Sequence, residues 1–237
     1  MDKIQADKYF EEGVIQIKKA QISPAINSFQ NALDIYENLQ MWEKVIETRN
    51  CIGKIYVFYL QQKLDYCETT VKIANEKLLA NSYTLGVTYS NIGAYFFLKN
   101  KLSLALSYFE KNLSICLKNK KKDSQYLAIA YYYIGSCSLR NSDYINVSKY
   151  VKLLIPLLND FQKKQDNFDN IPAIYLLLGN FYLAGYIDLK KAKYFYELGL
   201  QASLKIYGPI HHSTATFYDN IGNIVLTQSN FNIALTY

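Results

Sequence analysis

The sequence predicts an all-α fold, a solenoid of antiparallel helix pairs, and three observations carry that expectation. Six glycines, Gly13, Gly53, Gly93, Gly135, Gly179 and Gly222, recur at separations of 40, 40, 42, 44 and 43 residues. Five follow an Ile or Leu and five have a Tyr four residues upstream, as in Tyr89-Ser90-Asn91-Ile92-Gly93 and Tyr218-Asp219-Asn220-Ile221-Gly222. Self-similarity at such a period marks an array whose units bury their apolar faces against each other. The second observation is a companion residue, small in most units, at 12, 12, 12 and 13 residues beyond Gly13, Gly93, Gly135 and Gly179. The third is composition: 50% hydrophobic and 19% charged with 10 Gly and 4 Pro, which excludes a disordered or collagen-like chain and suits long helices with short links.

Taken in order, Gly13 pairs with Ala25 and Phe29, and Ser23-Pro24 opens the second helix of that unit. Gly53 is irregular: its best match is Thr69 with Ile73 one turn later, a four-residue insertion that keeps phase. Gly93 pairs with Ala105 and Phe109 across the turn residues Asn100-Lys101, and Gly135 with Val147 and Val151 across Asn141-Ser142-Asp143. Gly179 pairs with Ala192 and Tyr196, and Gly208-Pro209 closes that unit. Gly222 has Ala234, twelve residues on, before the chain stops. A glycine lets a neighbouring helix approach, the small residue does the same at the crossing, and the larger side chain fills the adjoining groove. The expected units are 6–45, 46–85, 86–127, 128–171, 172–214 and an incomplete 215–237, all one array.

The net charge of +6 is mild and interleaved, except in Lys118-Asn119-Lys120-Lys121-Lys122, read as a solvated inter-repeat loop; no nucleic-acid ligand is expected. Cys51, Cys67, Cys116 and Cys137 form no C-x-x-C, disulfide or zinc pattern, which fits a reducing cytoplasm. The N-terminus lacks a signal-peptide core, so Asn112-Leu113-Ser114 and Asn146-Val147-Ser148 are not expected to carry glycans. Ile171 to Ile187 is uncharged but short for a bilayer, contains Pro172 and Asn180, and keeps the repeat register; no membrane span is expected. The 23 tyrosines are read mainly as packing residues.

These residues resemble the tetratricopeptide repeat, whose pattern has an aromatic, then Leu-Gly, a later Tyr, then Ala, an aromatic and Ala. The first unit carries Tyr9, Gly13, Ala25, Phe29 and Ala32; the third carries Tyr89, Ile92, Gly93, Phe96, Ala105 and Phe109. The likeness covers essentially the whole chain. It implies a right-handed superhelix of about five and a half repeats, of the longer style seen in kinesin light chains, polarity adaptors of the LGN type, bacterial peptide-pheromone receptors and CHAT-associated arrays. Ile206-Tyr207-Gly208-Pro209-Ile210-His211-His212 is similar to the kinesin-light-chain style, with His212 where that style has Pro.

In such arrays the first helix of each unit lines a groove. The positions three and two before and one after each glycine give Asn50, Cys51 and Lys54; Ser90, Asn91 and Ala94; Tyr132, Tyr133 and Ser136; Leu176, Leu177 and Asn180; Asp219, Asn220 and Asn223. An amide can donate to and accept from an extended backbone at once, so Asn50, Asn91, Asn180, Asn220 and Asn223 suit main-chain recognition, with Lys54 beside them. The other reading is that these amides bridge adjacent helices. Tyr132, Tyr133, Phe97 and Phe58 supply aromatic anchors or, equally, inter-repeat packing. A Lys/Arg clamp for a terminal carboxylate is missing, which removes support for co-chaperone work. His211 and His212 diverge by about 100° on a helix and cannot share a metal well.

No nucleophile elbow, phosphate loop or metalloprotease motif occurs, so no catalytic residue, metal or cofactor is expected. The expected function is a non-catalytic cytoplasmic adaptor that holds a peptide or partner helix. The alternative is a sensor arm of a larger signalling or effector protein. Ile233-Ala234-Leu235-Thr236-Tyr237 ends partway through a helix without a polar cap, which favours either that alternative or self-association through the open end.

Overall fold

The computed structural model describes residues 2–59, 64–80, 82–119, 123–164 and 168–227, and every regular element among them is an α-helix. The order is α1 (Lys3–Lys18), α2 (Ile22–Asn38), α3 (Trp42–Phe58), α4 (Leu64–Lys77), α5 (Tyr83–Leu98), α6 (Leu102–Lys118), α7 (Ser124–Arg140), α8 (Tyr144–Lys163), α9 (Ile171–Tyr186), α10 (Leu189–Tyr207) and α11 (His212–Thr227). Each periodic glycine up to Gly179 sits in the first helix of a pair, and Gly222 sits in α11. The architecture is an all-α helical repeat of the solenoid class. The pairs begin one to four residues earlier than the glycine spacing alone suggests. Two compact units divide the chain, Met1–Ala130 and Tyr131–Tyr237, with the division inside α7. Lys120 to Lys122 and the closing segment from Ile233 to Tyr237 lie outside the described residues, as does Ala234.

Local chemistry explains where helices start and stop. Carboxylate and hydroxyl caps accept from first-turn amides: Asp2 from Gln5, Ser82 from Thr84, Asp143 from Asn146 and Asp188 from Lys191. Five helix junctions use one turn, in which a left-handed residue precedes the new helix by two positions: Ala20, Gln40, Asn100, Ser142 and Ile187. The next residue's N–H then reaches back to a carbonyl near the end of the old helix, as from Met41 to Tyr36 (2.9 Å) and Asp143 to Ser138 (2.8 Å). Of the five, only Asn100 has a side chain that favours this conformation. Gly208, at φ +84°, ends α10 as its sequence neighbourhood predicts.

Three of the pairs are held by rings laid over glycines. A Cβ at Gly13 would meet the Phe29 ring at 2.7 Å, one at Gly93 the Phe109 ring at 2.5 Å, and one at Gly179 would overlap the Tyr196 ring. Gly199 is covered in the same way by Phe217 of the following helix. The second pair departs from the expectation. Thr69 is exposed and its hydroxyl returns to the Asp65 carbonyl, whereas Cys67 is buried with its Sγ against Gly53. Cys67 stands seven residues before buried Ala74, as Ala25 stands seven before Ala32. The small-residue position is therefore Cys67 with Val71 one turn later, and the insertion is two residues instead of four. Thr and Cys are similar in size, so spacing alone could not choose between them.

Candidate functional site

On α3 the residues Lys44, Glu47, Cys51 and Lys54 follow one another at helical spacing and share one stripe. Lys44 Nζ pairs with Glu47 Oε2 at 2.8 Å and lies 5.4 Å from the centre of the Phe10 ring on α1. Asp7, also on α1, pairs with Lys3 at 2.7 Å and accepts the Tyr36 hydroxyl at 2.6 Å. Hydrogen bonds from Lys3 and Tyr36 hold the Asp7 carboxyl below its ordinary value. Burial, then the Asp7 carboxylate, pushes the Tyr36 phenol far up. The Glu47 hydrogen bond raises Lys44, and burial pushes the Cys51 thiol up to about 12, so Cys51 is an unreactive thiol at neutral pH.

A second cluster of the first unit joins α5 and α7. Tyr126 on α7 is raised by burial and then by the Asp123 and Glu47 carboxylates. Tyr126 stacks on Tyr83 at 4.5 Å, and the Tyr83 hydroxyl accepts the Asp123 N–H. The face is thus charged but internally balanced, with one exception: Lys54 is exposed and has no carboxylate partner among the described residues. Lys44 and Glu47 are functional candidates that the sequence reading missed. They stand nine and six residues before Gly53, outside the offsets chosen there; helical periodicity carried one turn further back would have reached Glu47 and a second turn Lys44.

Asn50 and Asn91 sit elsewhere, in the seam between α3 and α5. Asn50 Nδ2 donates to the Thr84 carbonyl (2.7 Å), its Oδ1 accepts from the Thr88 hydroxyl (2.8 Å), and its carbonyl accepts from Asn91 Nδ2 (3.1 Å). Both residues are only 6% exposed. At the start of α5 the Ser82 and Thr84 hydroxyls donate to the Glu43 carboxylate at 3.1 and 2.6 Å. These amides bridge helices, the second of the two readings the sequence left open. Burial compels it, because an amide removed from water must find partners inside the protein.

In the second unit Tyr132 and Tyr133 are half-buried with ring centres 5.1 Å apart, and burial raises both phenols, although the Tyr132 hydroxyl is bonded to Ser136. Leu177 is buried against Gly135. Asn180 Oδ1 accepts the Tyr196 hydroxyl at 2.7 Å, and Asn220 Nδ2 donates to the Thr216 carbonyl of its own helix at 2.8 Å. Asn223 is exposed one turn beyond half-buried Asn220. A cavity of about 430 Å³ lies apart from these residues, between Tyr9 of α1 and Asn31, Asp34, Ile35 and Asn38 of α2. No group of three or more His, Cys, Asp or Glu among the described residues could hold a metal. No described helix is long and apolar enough to cross a membrane.

Comparison with known proteins places this arrangement. No protein-family model matches the chain, and no curated protein matches it. Solved structures do. BtubC from P. vanneervenii superposes with a TM-score of 0.62 at 14% identity over 93% of this chain and 87% of that one. A Rap protein complexed with competence and sporulation factor gives 0.62 at 17% identity over 98% of this chain and 66% of its own length. The nearly identical TPR-like repeats of a Podospora anserina putative kinesin light chain give 0.57 at 14% identity, covering 86% of this chain and 98% of that one. At these identities the likeness concerns the fold, which is that of tetratricopeptide-type repeat proteins.

Proposed function

We propose that this chain, a tetratricopeptide-type repeat by its fold, is a non-catalytic interaction scaffold that holds a peptide or partner helix along its first helices. The Rap complex supports the reading, since that fold there carries a bound factor. The observation that bears most weight is the α3 stripe, where Lys44 is neutralised by Glu47 while Lys54 stands exposed with no carboxylate partner among the described residues. An exposed, unpaired lysine beside a charge-balanced face is placed to take an acidic group of a ligand, with Glu47 setting the register by repulsion or by pairing a ligand cation.

Of the positions singled out in the sequence, Lys54, Phe58, Asp219 and Asn223 are exposed and Asn220 is half-buried. Asn180, Tyr132 and Tyr133 contribute through their partly exposed edges. Asn50 and Asn91 support the site only by fixing α3 against α5. The four thiols are unpaired, which supports a reducing compartment such as the cytoplasm.

The test is affinity capture from native extract, followed by titration of the captured partner. Lys54→Glu is expected to weaken binding by about tenfold or more, in line with reversal of a contacting charge, while the fold is retained because Lys54 is exposed. Unchanged affinity for Lys54→Glu and for Asn220→Ala/Asn223→Ala together rejects the groove. A second reading, a regulatory arm of a larger signalling protein, draws support from the one-third of the Rap protein that this chain does not cover. A longer transcript with an output domain decides for it.

A further inference from the structure

The two histidines are the only ones in the chain, and neither is used by the proposed binding face. His211 is the cap of α11: its carbonyl accepts from the Thr214 and Ala215 N–H groups at 2.9 and 3.1 Å. Its side chain completes the cap, because the Ser213 N–H donates to Nδ1 at 3.2 Å. That bond requires an unprotonated Nδ1. The imidazole also stacks on Tyr207 at the end of α10, with centroids 4.4 Å apart and planes 19° from parallel. Tyr207 in turn donates its hydroxyl to the Asp169 carbonyl ahead of α9 at 2.6 Å. A buried Ser203–Thr214 hydroxyl contact and a bond from Thr214 to the Gly208 carbonyl close the junction.

The geometry points to a proton-sensitive latch: protonation of His211 removes the side-chain cap of α11 and loosens its first turn from the end of α10. Three effects act in the same direction. The Nδ1 acceptor becomes a donor facing an N–H. A positive charge arises at the positive end of the helix dipole. His212, whose ring centre lies 4.2 Å away in the first turn of α11, sets a second imidazole beside it that repels the new charge. From α10 the facing titratable group is the Tyr207 phenol, and from α11 it is His212; His212 is the one charged group that shifts His211, and no carboxylate does so.

Burial, and then His212, holds His211 below its ordinary value. The sign follows: the unfolded imidazole binds a proton more readily than the folded one. Cap stability is therefore complete above about 6.5 and is lost as pH falls through the lower folded value. Carboxylates titrate well below this window, so His211 dominates it. The helix affected carries Asn220 and Asn223, which makes the latch a means of regulating that face, yet the latch itself does not depend on those residues meeting a ligand.

The test follows amide exchange of Ser213 and Thr214 together with thermal melting between pH 7.5 and 5.5. The wild-type chain should lose about fivefold in protection over this range, the equivalent of about 1 kcal/mol for one helix cap. His211→Asn, which caps without titrating, should keep the protection found at pH 7.5 throughout. His211→Ala should be low at both ends. His212→Gln should keep the step and move it to higher pH, since one repelling charge is gone. A wild-type chain with no step, an unchanged step in His211→Asn, or its disappearance in His212→Gln each overturns the latch.

Discussion

The first-helix seams of the two units solve one geometric problem with opposite chemistry. In Met1–Ala130 the seam between α3 and α5 is a ladder of amides and hydroxyls, Asn50, Thr84, Thr88 and Asn91, closed at one end by Glu43. In Tyr131–Tyr237 two of the equivalent places are apolar: Leu177 rests on Gly135 in the place of Asn91, Ile174 takes the place of Thr88, and both are buried. Either content serves, provided that each buried polar atom has a partner. A periodic asparagine therefore marks a seam as readily as a ligand contact, and only its hydrogen bonds distinguish the two.

The largest expected effect probes what the units share. Gly93→Val in the first and Gly179→Val in the second each drive a branched side chain into a ring packed by its own pair, Phe109 or Tyr196. Each should cost about 3 kcal/mol in chemical denaturation, the upper part of the overpacking range. Gly53 is the internal control. A methyl there is crowded by the Cys67 Sγ, at 3.0 Å, and a thiol can turn aside; Asn91 Nδ2 at 3.6 Å is in ordinary contact. Gly53→Ala should stay within about 1 kcal/mol of wild type, because better helix propensity offsets the crowding. An equal loss at Gly53 and Gly93 contradicts the ring-over-glycine account.

Exchanging the two chemistries comes next in size. Asn50→Ala removes the bonds to the Thr84 carbonyl and from the Thr88 hydroxyl, which remain bonded to each other at 3.0 Å, and should cost about 1 to 2 kcal/mol. Leu177→Asn places an amide against Gly135 with no partner seen there and should cost about as much. If Asn50→Ala proves neutral in stability yet abolishes partner capture, Asn50 is a ligand contact and the seam assignment is wrong.

The contrast also shows how far the sequence could be read. Glycine periodicity located the first helix of every pair, and Phe29, Phe109 and Tyr196 were identifiable as groove fillers, because a ring over a glycine leaves its mark on both partners. The turns were less legible. A left-handed residue at Ala20, Gln40 or Ile187 follows from the hydrogen bonds of the turn and not from the residue's own preference. The binding face was only half legible. One stripe of a helix holds both seam and groove residues a single position apart, so Asn50 and Cys51 fall on different sides of a line set by tertiary packing. Cys67 could be told from Thr69 only once α4 had a fixed rotation.

The smallest effect asks whether the exposed faces differ as the seams do. Tyr196 is buried to its hydroxyl, which binds Asn180, whereas the equivalent Phe109 of the first unit has no hydroxyl to place. Tyr196→Phe removes one neutral hydrogen bond and keeps the ring over Gly179, so it should cost about 1 kcal/mol. It also frees Asn180 Oδ1. If the second unit offers its asparagines to a ligand, the variant should bind the captured partner at least as well as wild type despite its lower stability. Weaker binding instead means that Asn180 works as a fixed strut, and the accessible amides of that unit reduce to Asn220 and Asn223.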